Sequence, residues 1–491
     1  MIEPARDGII LCRCHGRVTD KVDMDDIVRF IGAVAPDARA VIGDDLCQPQ
    51  VLKRVVEEEG LRPVVIAACS EIKPRLRVWE EEGQCPINPF ASRVLPLKEE
   101  VDAGYAVEEA TRRVKLLLWA QLKRASGFNG VSQRNLKMCI EKPTGEVGRR
   151  ELTAMLLPHY HVIPSIDASL CSGGMKCSLC RDACPFGAIT IEEGVVEITA
   201  DACTGCGACV AACPRGAVSY PTFSLQELGR EMEGLLMCRD VQMEPRIIAF
   251  IDRVSGCGQD GDGYLRFPLN VLPVKLPSLL MASPLLMLRA LAMGAQGLAI
   301  VHGSVDRQSG VETESWRGHV QLMQELLDSW GLGADRARVF EMDRDNRDTI
   351  QMEIERFADE IAGLPPTPFA DTAHVSPEIG ALQLHELVAW MGSSFPRPTQ
   401  GKITGGAVPF GVVKLDGERC TGCGLCALNC PTDAITIAAE GDGYTISFKY
   451  DLCVGCGVCV NTCPEGCVEL DKVLMLSELG AGCSGPSSSR R

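Results

Sequence analysis

Cys420, Cys423, Cys426 and Cys430 stand in the order C-x2-C-x2-C-x3-C, with Pro431 directly after the fourth. The pattern returns at Cys453, Cys456, Cys459 and Cys463, followed by Pro464, and earlier at Cys203, Cys206, Cys209 and Cys213, followed by Pro214. Cys171, Cys177, Cys180 and Cys184, followed by Pro185, repeat it with five residues in the first gap, where Gly173 and Gly174 make the longer loop feasible. Three thiolates two residues apart on a tight loop reach three irons of one iron–sulfur cubane. Glycines such as Gly422, Gly424, Gly455 and Gly457 let backbone approach the inorganic sulfides. The proline after each fourth cysteine turns the chain away. Zinc on paired CxxC knuckles is the alternative. Complete runs, each closed by a proline, favour iron and sulfide.

These runs resemble those of bacterial two-cluster ferredoxins, in which the fourth cysteine of each run ligates the other run's cluster. The resemblance implies four [4Fe-4S] sites. The first module would use Cys171, Cys177, Cys180 and Cys213 for one (the Cys171 set), and Cys203, Cys206, Cys209 and Cys184 for the other (the Cys203 set). The second would use Cys420, Cys423, Cys426 and Cys463 (the Cys420 set), then Cys453, Cys456, Cys459 and Cys430 (the Cys453 set).

Elements must position these runs. Gly8–Cys12, Ala38–Ile42 and Pro63–Cys69 read as strands, separated by helical spacing over Met24–Ile31 and Gln50–Glu59. Strand, helix, strand, helix, strand implies a parallel sheet, beyond whose carboxyl ends ligands gather. Cys12, Cys47 and Cys69 fall there and form a candidate further cluster site, with Cys14 or Cys85 as a fourth ligand. Arg246–Ile251, Val271–Val274, Gly297–Val301 and Arg338–Met342 read as strands of a second α/β unit, with helices at Pro284–Met293, Val320–Trp330 and Thr349–Ala362. Ala188–Ile191 and Val195–Ile198 form a hairpin inside the first module, and Ser224 caps a helix to Met237.

Two further resemblances follow. Leu11-Cys-Arg-Cys-His-Gly16, Leu46-Cys47, Val64–Ser70, Ile87-Asn-Pro-Phe90 and the helix Val107–Lys123 resemble the amino-terminal domain of the heterodisulfide reductase A family. In that family this domain carries an extra iron–sulfur cluster and a flavin domain follows. The stretch from Gly127 to Pro164, where that domain would follow, has no G-x-G-x-x-G run and is too short to hold a flavin domain, so no FAD is expected on this chain. Ala290–Gly303 is similar to the small iron–sulfur subunit of methyl-viologen-reducing hydrogenase, whose family binds a two-iron cluster. Only Cys257 is present where that family has several thiols, and His302 stands at another such place. That domain is expected to keep the fold without the cluster.

The 491 residues suit several domains, and 46% hydrophobic content suits packed cores. The net charge of −16 argues against nucleic acid and anionic lipid as partners. The 26 cysteines, with no leader pattern at the start, point to metal ligation in a reducing cytoplasm rather than disulfides. Leu276–Leu288, the most apolar stretch, is interrupted by Pro277 and Pro284 and is too short to span a membrane.

The fold class expected is thus multidomain α/β and α+β, with two parallel-sheet α/β domains alternating with two ferredoxin-like modules. The boundaries are 1–127, a linker 128–165, a module 166–222, a helical linker 223–244, an α/β domain 245–365, a linker 366–410 with a helix at Leu382–Met391, a module 411–472 and a flexible tail 473–491. Cys139, His159, His161, Cys467 and Cys483 read as structural or leftover groups. The function expected is electron transfer within a heterodisulfide-reductase-like complex, with flavin, hydrogenase or formate dehydrogenase subunits as partners. The alternative is a reductase acting on a disulfide or thioester-linked substrate at the amino-terminal cysteines.

Overall fold

The computed structural model describes residues 6–13, 18–46, 48–68, 91–101, 104–139, 159–173, 177–252, 265–303, 315–343, 346–369, 384–393, 401–405, 408–440, 443–476 and 488–490. The first domain is a four-stranded parallel sheet. Its strands are β1 (Arg6–Cys12), β2 (Arg39–Gly43), β3 (Leu61–Ala68) and β4 (Arg93–Pro96), in the order β2-β1-β3-β4. Ile9, Ile10 and Leu11 on β1 and Val65, Ile66 and Ala67 on β3 are fully buried, as a sheet covered on both faces requires. Helix α1 (Met24–Val34) starts where the Asp23 side chain accepts the Asp26 amide at 2.8 Å.

Helix α2 (Val107–Ser126) is the spine between domains. Arg113, 2% exposed, donates through Nη1 to the carbonyls of Leu269 at 2.8 Å and Val271 at 3.0 Å, at the start of the second α/β sheet. Along its length α2 lies against α3 (Leu225–Leu236), the helix read as a linker. The crossing is close: a Cβ on Gly234 would stand 2.6 Å from Ala120 Cα, so only glycine fits. Buried ion pairs lock the contact. Arg124 Nη1 meets Glu231 Oε2 at 2.6 Å, and Gln121 Nε2 donates to Glu231 Oε1 at 2.7 Å. Arg93 on β4 reaches Glu227 at 2.5 Å, and Glu227 also closes a capping box with Ser224.

The second α/β domain has strands β11 (Ile247–Ile251), β12 (Val271–Lys275), β13 (Gly297–Gly303) and β14 (Ala337–Met342), all parallel in the order β12-β11-β13-β14. This is the connectivity of the first sheet again. Its helices run Pro284–Ala292, Ser315–Ser329 and Arg347–Gly363, close to the expected spans.

In the first module β7 (Ser165–Ile166) pairs with β10 (Val218–Ser219), and β8 (Ile189–Glu192) with β9 (Val195–Ile198), all antiparallel. In the second, β16 (Val412–Leu415) pairs with β19 (Val468–Asp471), and β17 (Ile435–Glu440) with β18 (Gly443–Phe448). In each module the first and last strands pair, so the two cysteine runs close on each other. Two segments read as linkers carry strands instead. Leu136–Cys139 (β5) pairs with His159–Val162 (β6), and Lys402–Thr404 (β15) pairs with Val473–Met475 (β20). The segment read as a flexible tail therefore supplies β20, and Ser488–Arg490 (β21) lies against β18. The expectation failed there because a strand of three residues has no readable periodicity. Among the described residues, no helix is long and apolar enough to cross a membrane.

Candidate metal centres

Each fourth cysteine sits at the end of a short helical turn and receives an amide hydrogen bond on its sulfur. Ala188 N–H donates to Cys184 Sγ at 3.4 Å, Ala217 to Cys213 at 3.2 Å, Ala434 to Cys430 at 3.2 Å and Cys467 to Cys463 at 3.4 Å. The turn made by the following proline aims the amide four residues on at the sulfur, so one local device recurs in all four runs. Such bonds favour the thiolate form.

The thiols gather in the crossed sets. Cys420, Cys423 and Cys426 line one small cavity with Cys463. Cys203, Cys206 and Cys209 line another with Cys184. Burial pushes the Cys180 thiol up to about 11, and the neighbouring charges of Cys177, Cys213 and Cys171 push the same way. Cys459 is pushed up to about 12 by burial and by Cys453, Cys456 and Cys430. In both cases the thiols that press on each other are those of one crossed set. Thiols so raised lose their protons on binding metal. Among the described residues, no three His, Cys, Asp or Glu side chains close on a single metal ion.

Local backbone is built for close approach. Gly455 has φ of 60°, and a Cβ there would stand 3.0 Å from the Phe410 carbonyl oxygen. Beside the Cys203 set, Lys137 Nζ donates to the carbonyls of Asp201 and Cys203, both at 3.0 Å. Lys137 lies on β5, in the stretch read as a linker. At the Cys420 set, Cys423 is exposed, with Leu425 and Leu428 exposed on the next turn.

The two modules touch. Arg215, two residues after Cys213, donates through Nη1 to the carbonyl of Pro431, the residue after Cys430, at 3.1 Å. Its Nε donates to Leu170 O at 2.9 Å. Burial raises the Cys177 thiol, and Cys456 of the other module is among the charges that raise it further. Cys213, Arg215, Pro431 and Cys453 line one cleft. The second α/β domain abuts the first module: Met281 packs so closely on Gly207 that a Cβ there would be 2.9 Å from its sulfur.

Cys467, read as a leftover thiol, lies inside the Cys420 site, its sulfur 3.4 Å from Cys463 Sγ. Burial and the Cys463 sulfur push Cys467 up to about 12. Burial works to raise Cys463 too, but hydrogen bonds from Cys467, Glu465 and Gly466 outweigh it and lower that thiol. Aligning the four runs reveals the position: alanine stands four residues after the fourth cysteine in three, cysteine in one.

The amino-terminal candidates divide. Cys12 ends β1 and is 1% exposed. Cys14, Cys47, Cys69 and Cys85 lie outside the described residues, as do Cys257 and Cys483. His302 lies at the end of β13, its Nδ1 3.0 Å from Asp252 Oδ2 just after β11, with its ring 5.3 Å from that of Trp316. This is the crevice where strand order reverses, the usual ligand position of such sheets.

The fold and these sites define a protein with two ferredoxin-like modules whose cysteine runs suit [4Fe-4S] clusters. Residues 174–217 and 419–467 match the 4Fe-4S dicluster domain, and residues 247–365 match the methyl-viologen-reducing hydrogenase delta subunit. The electron transport protein HydN of Escherichia coli K12 is 39% identical over 64 residues, 13% of this chain and 37% of HydN. The B component of an ion-translocating oxidoreductase complex of Methanosarcina acetivorans is 48% identical over 46 residues, 9% of this chain and 17% of that protein. An uncharacterised ferredoxin of Methanocaldococcus jannaschii is 35% identical over 83 residues, 17% of this chain and 44% of the ferredoxin. The chain thus spans less than half the length of each of these relatives.

Proposed function

We propose that this chain is an electron relay, the iron–sulfur component of a heterodisulfide-reductase-like redox complex, with the four crossed cysteine sets as its cluster ligands. When bound, [4Fe-4S] clusters supply one-electron carriers whose potentials respond to hydrogen bonds, charge and exposure. The chain's own residues bury the thiols, donate amide hydrogen bonds to them and fix their order.

The observation that carries the reading is the seam between modules, where Arg215 bonds Pro431 and Cys456 presses on Cys177. It supports the order Cys203 set, Cys171 set, Cys453 set, Cys420 set. The last set has the exposed Cys423, with apolar Leu425 and Leu428 beside it, which suits a redox partner's approach. The likeness of residues 247–365 to a hydrogenase delta chain supports that domain as the platform on which a hydrogenase or formate dehydrogenase type donor and a flavin protein assemble.

The test is electron paramagnetic resonance of the fully reduced protein, isolated anaerobically, in wild type and Cys456→Ser. The order requires magnetic coupling between the Cys171 and Cys453 sets, so the variant narrows the signal of the Cys171 set. An unchanged Cys171 signal refutes the order. Electron flow between co-purifying subunits, measured with Cys206→Ser and Cys456→Ser, must fall while the complex still assembles; normal rates in both refute the relay.

A further inference from the structure

Four equivalent positions exist for the residue whose amide bonds the fourth cysteine's sulfur, and three are occupied by Ala188, Ala217 and Ala434, whose methyl groups donate nothing. The fourth is Cys467. Its thiol faces the same sulfur its amide already bonds, at 3.4 Å, and it lines the same cavity as Cys420, Cys423 and Cys426. The side chain is held there. Cys467 is 4% exposed, and its carbonyl accepts the Asp416 amide at 2.9 Å. Once Cys463 is a metal-bound thiolate it has no proton to give, so the S–H of Cys467 is the donor.

We propose that Cys467 is a positioning residue of the Cys420 site, a fifth thiol that donates an S–H···S hydrogen bond to the Cys463 ligand sulfur and raises the reduction potential of the cluster held there. This rests on the ligand sets proposed above. A second donor on one ligand sulfur withdraws charge from the iron and favours the reduced, more negative cluster. The Cys420 set also carries the exposed Cys423, so this thiol would act on the end of the series nearest solvent. A higher potential at one end gives the series a direction, drawing electrons toward that end.

The experiment compares wild type, Cys467→Ala, Cys467→Ser and Cys463→Ala by iron and sulfide analysis and by an anaerobic potentiometric titration followed by electron paramagnetic resonance. Cys467→Ala is expected to keep all the iron and to lower one midpoint potential. The shift corresponds to about a tenfold change in the equilibrium for reducing that cluster, which is about 59 mV for one electron. Cys467→Ser restores part of it, because a hydroxyl donates to the same sulfur. Unchanged midpoints in Cys467→Ala, with a cluster lost in Cys463→Ala, would overturn the proposal while leaving the ligand sets standing. Loss of a cluster in Cys467→Ala but not in Cys463→Ala would overturn both, since Cys467 would then be the ligand.

Discussion

Replacing Glu231 by alanine tests how the domains are joined. Glu231 is 2% exposed and takes two hydrogen bonds, from Arg124 Nη1 at 2.6 Å and Gln121 Nε2 at 2.7 Å. Without it, Arg124, 6% exposed, keeps the Thr222 carbonyl at 2.6 Å and the Phe223 ring face 5.2 Å away. Neither neutralises a guanidinium out of water. Breaking a buried pair from one side costs about 3–5 kcal/mol, most of it the stranded charge. With an m value of about 3 kcal/mol/M, the urea midpoint falls by about 1–2 M. Removing both charges with apolar residues, Arg124→Met with Glu231→Leu, returns stability to within about 1 kcal/mol of wild type or above it. Anaerobic urea unfolding followed by far-ultraviolet circular dichroism gives both numbers, and a double-mutant cycle gives the coupling. A Glu231→Ala variant within about 1 kcal/mol of wild type, or a double variant no better than the single, would refute the argument that a stranded charge dominates.

Two other outcomes follow from single groups. Lys137 brings a positive charge to the Cys203 set, so Lys137→Met lowers the midpoint of one cluster and leaves the others unmoved, as a potentiometric titration would show. Burial lowers His319, against an opposing hydrogen bond with the Ala282 carbonyl at 3.2 Å. The unfolded chain then binds more protons than the folded one at mildly acid pH, so stability rises with pH there. The contribution is full above the ordinary histidine pKa of about 6.5 and is lost as pH falls from there toward the lowered folded value. His319→Gln flattens the dependence of the urea midpoint between about pH 7 and pH 5; an unchanged slope would show that His319 is not held neutral.

The cysteine runs were legible because a cluster imposes fixed gaps over a dozen residues, a local demand that leaves a local signature. The parallel strands were legible for a similar reason: fully buried strands such as Ile247–Ile251 must be continuously apolar. What stayed hidden depends on residues far apart in the chain. Nothing near Arg93 announces Glu227, and nothing near Arg215 announces Pro431. The stretch from 128 to 165 read as a linker because β5 and β6 are four residues each, too short to show alternation. Cys467 was visible in the sequence and misjudged. Its spacing belongs to no ligand pattern, and its place beside Cys463 follows from the turn shared by all four runs, which a single run does not display.

The seam at Arg215 and Pro431 also changes the kinetics open to such a molecule. Two small carriers in solution must find each other by diffusion, and their exchange slows on dilution and responds to salt. Here both halves belong to one polypeptide and are fastened at the point of contact. Crossing becomes a first-order event with a fixed one-to-one stoichiometry, and its rate should be the same in dilute extract and in the crowded cell.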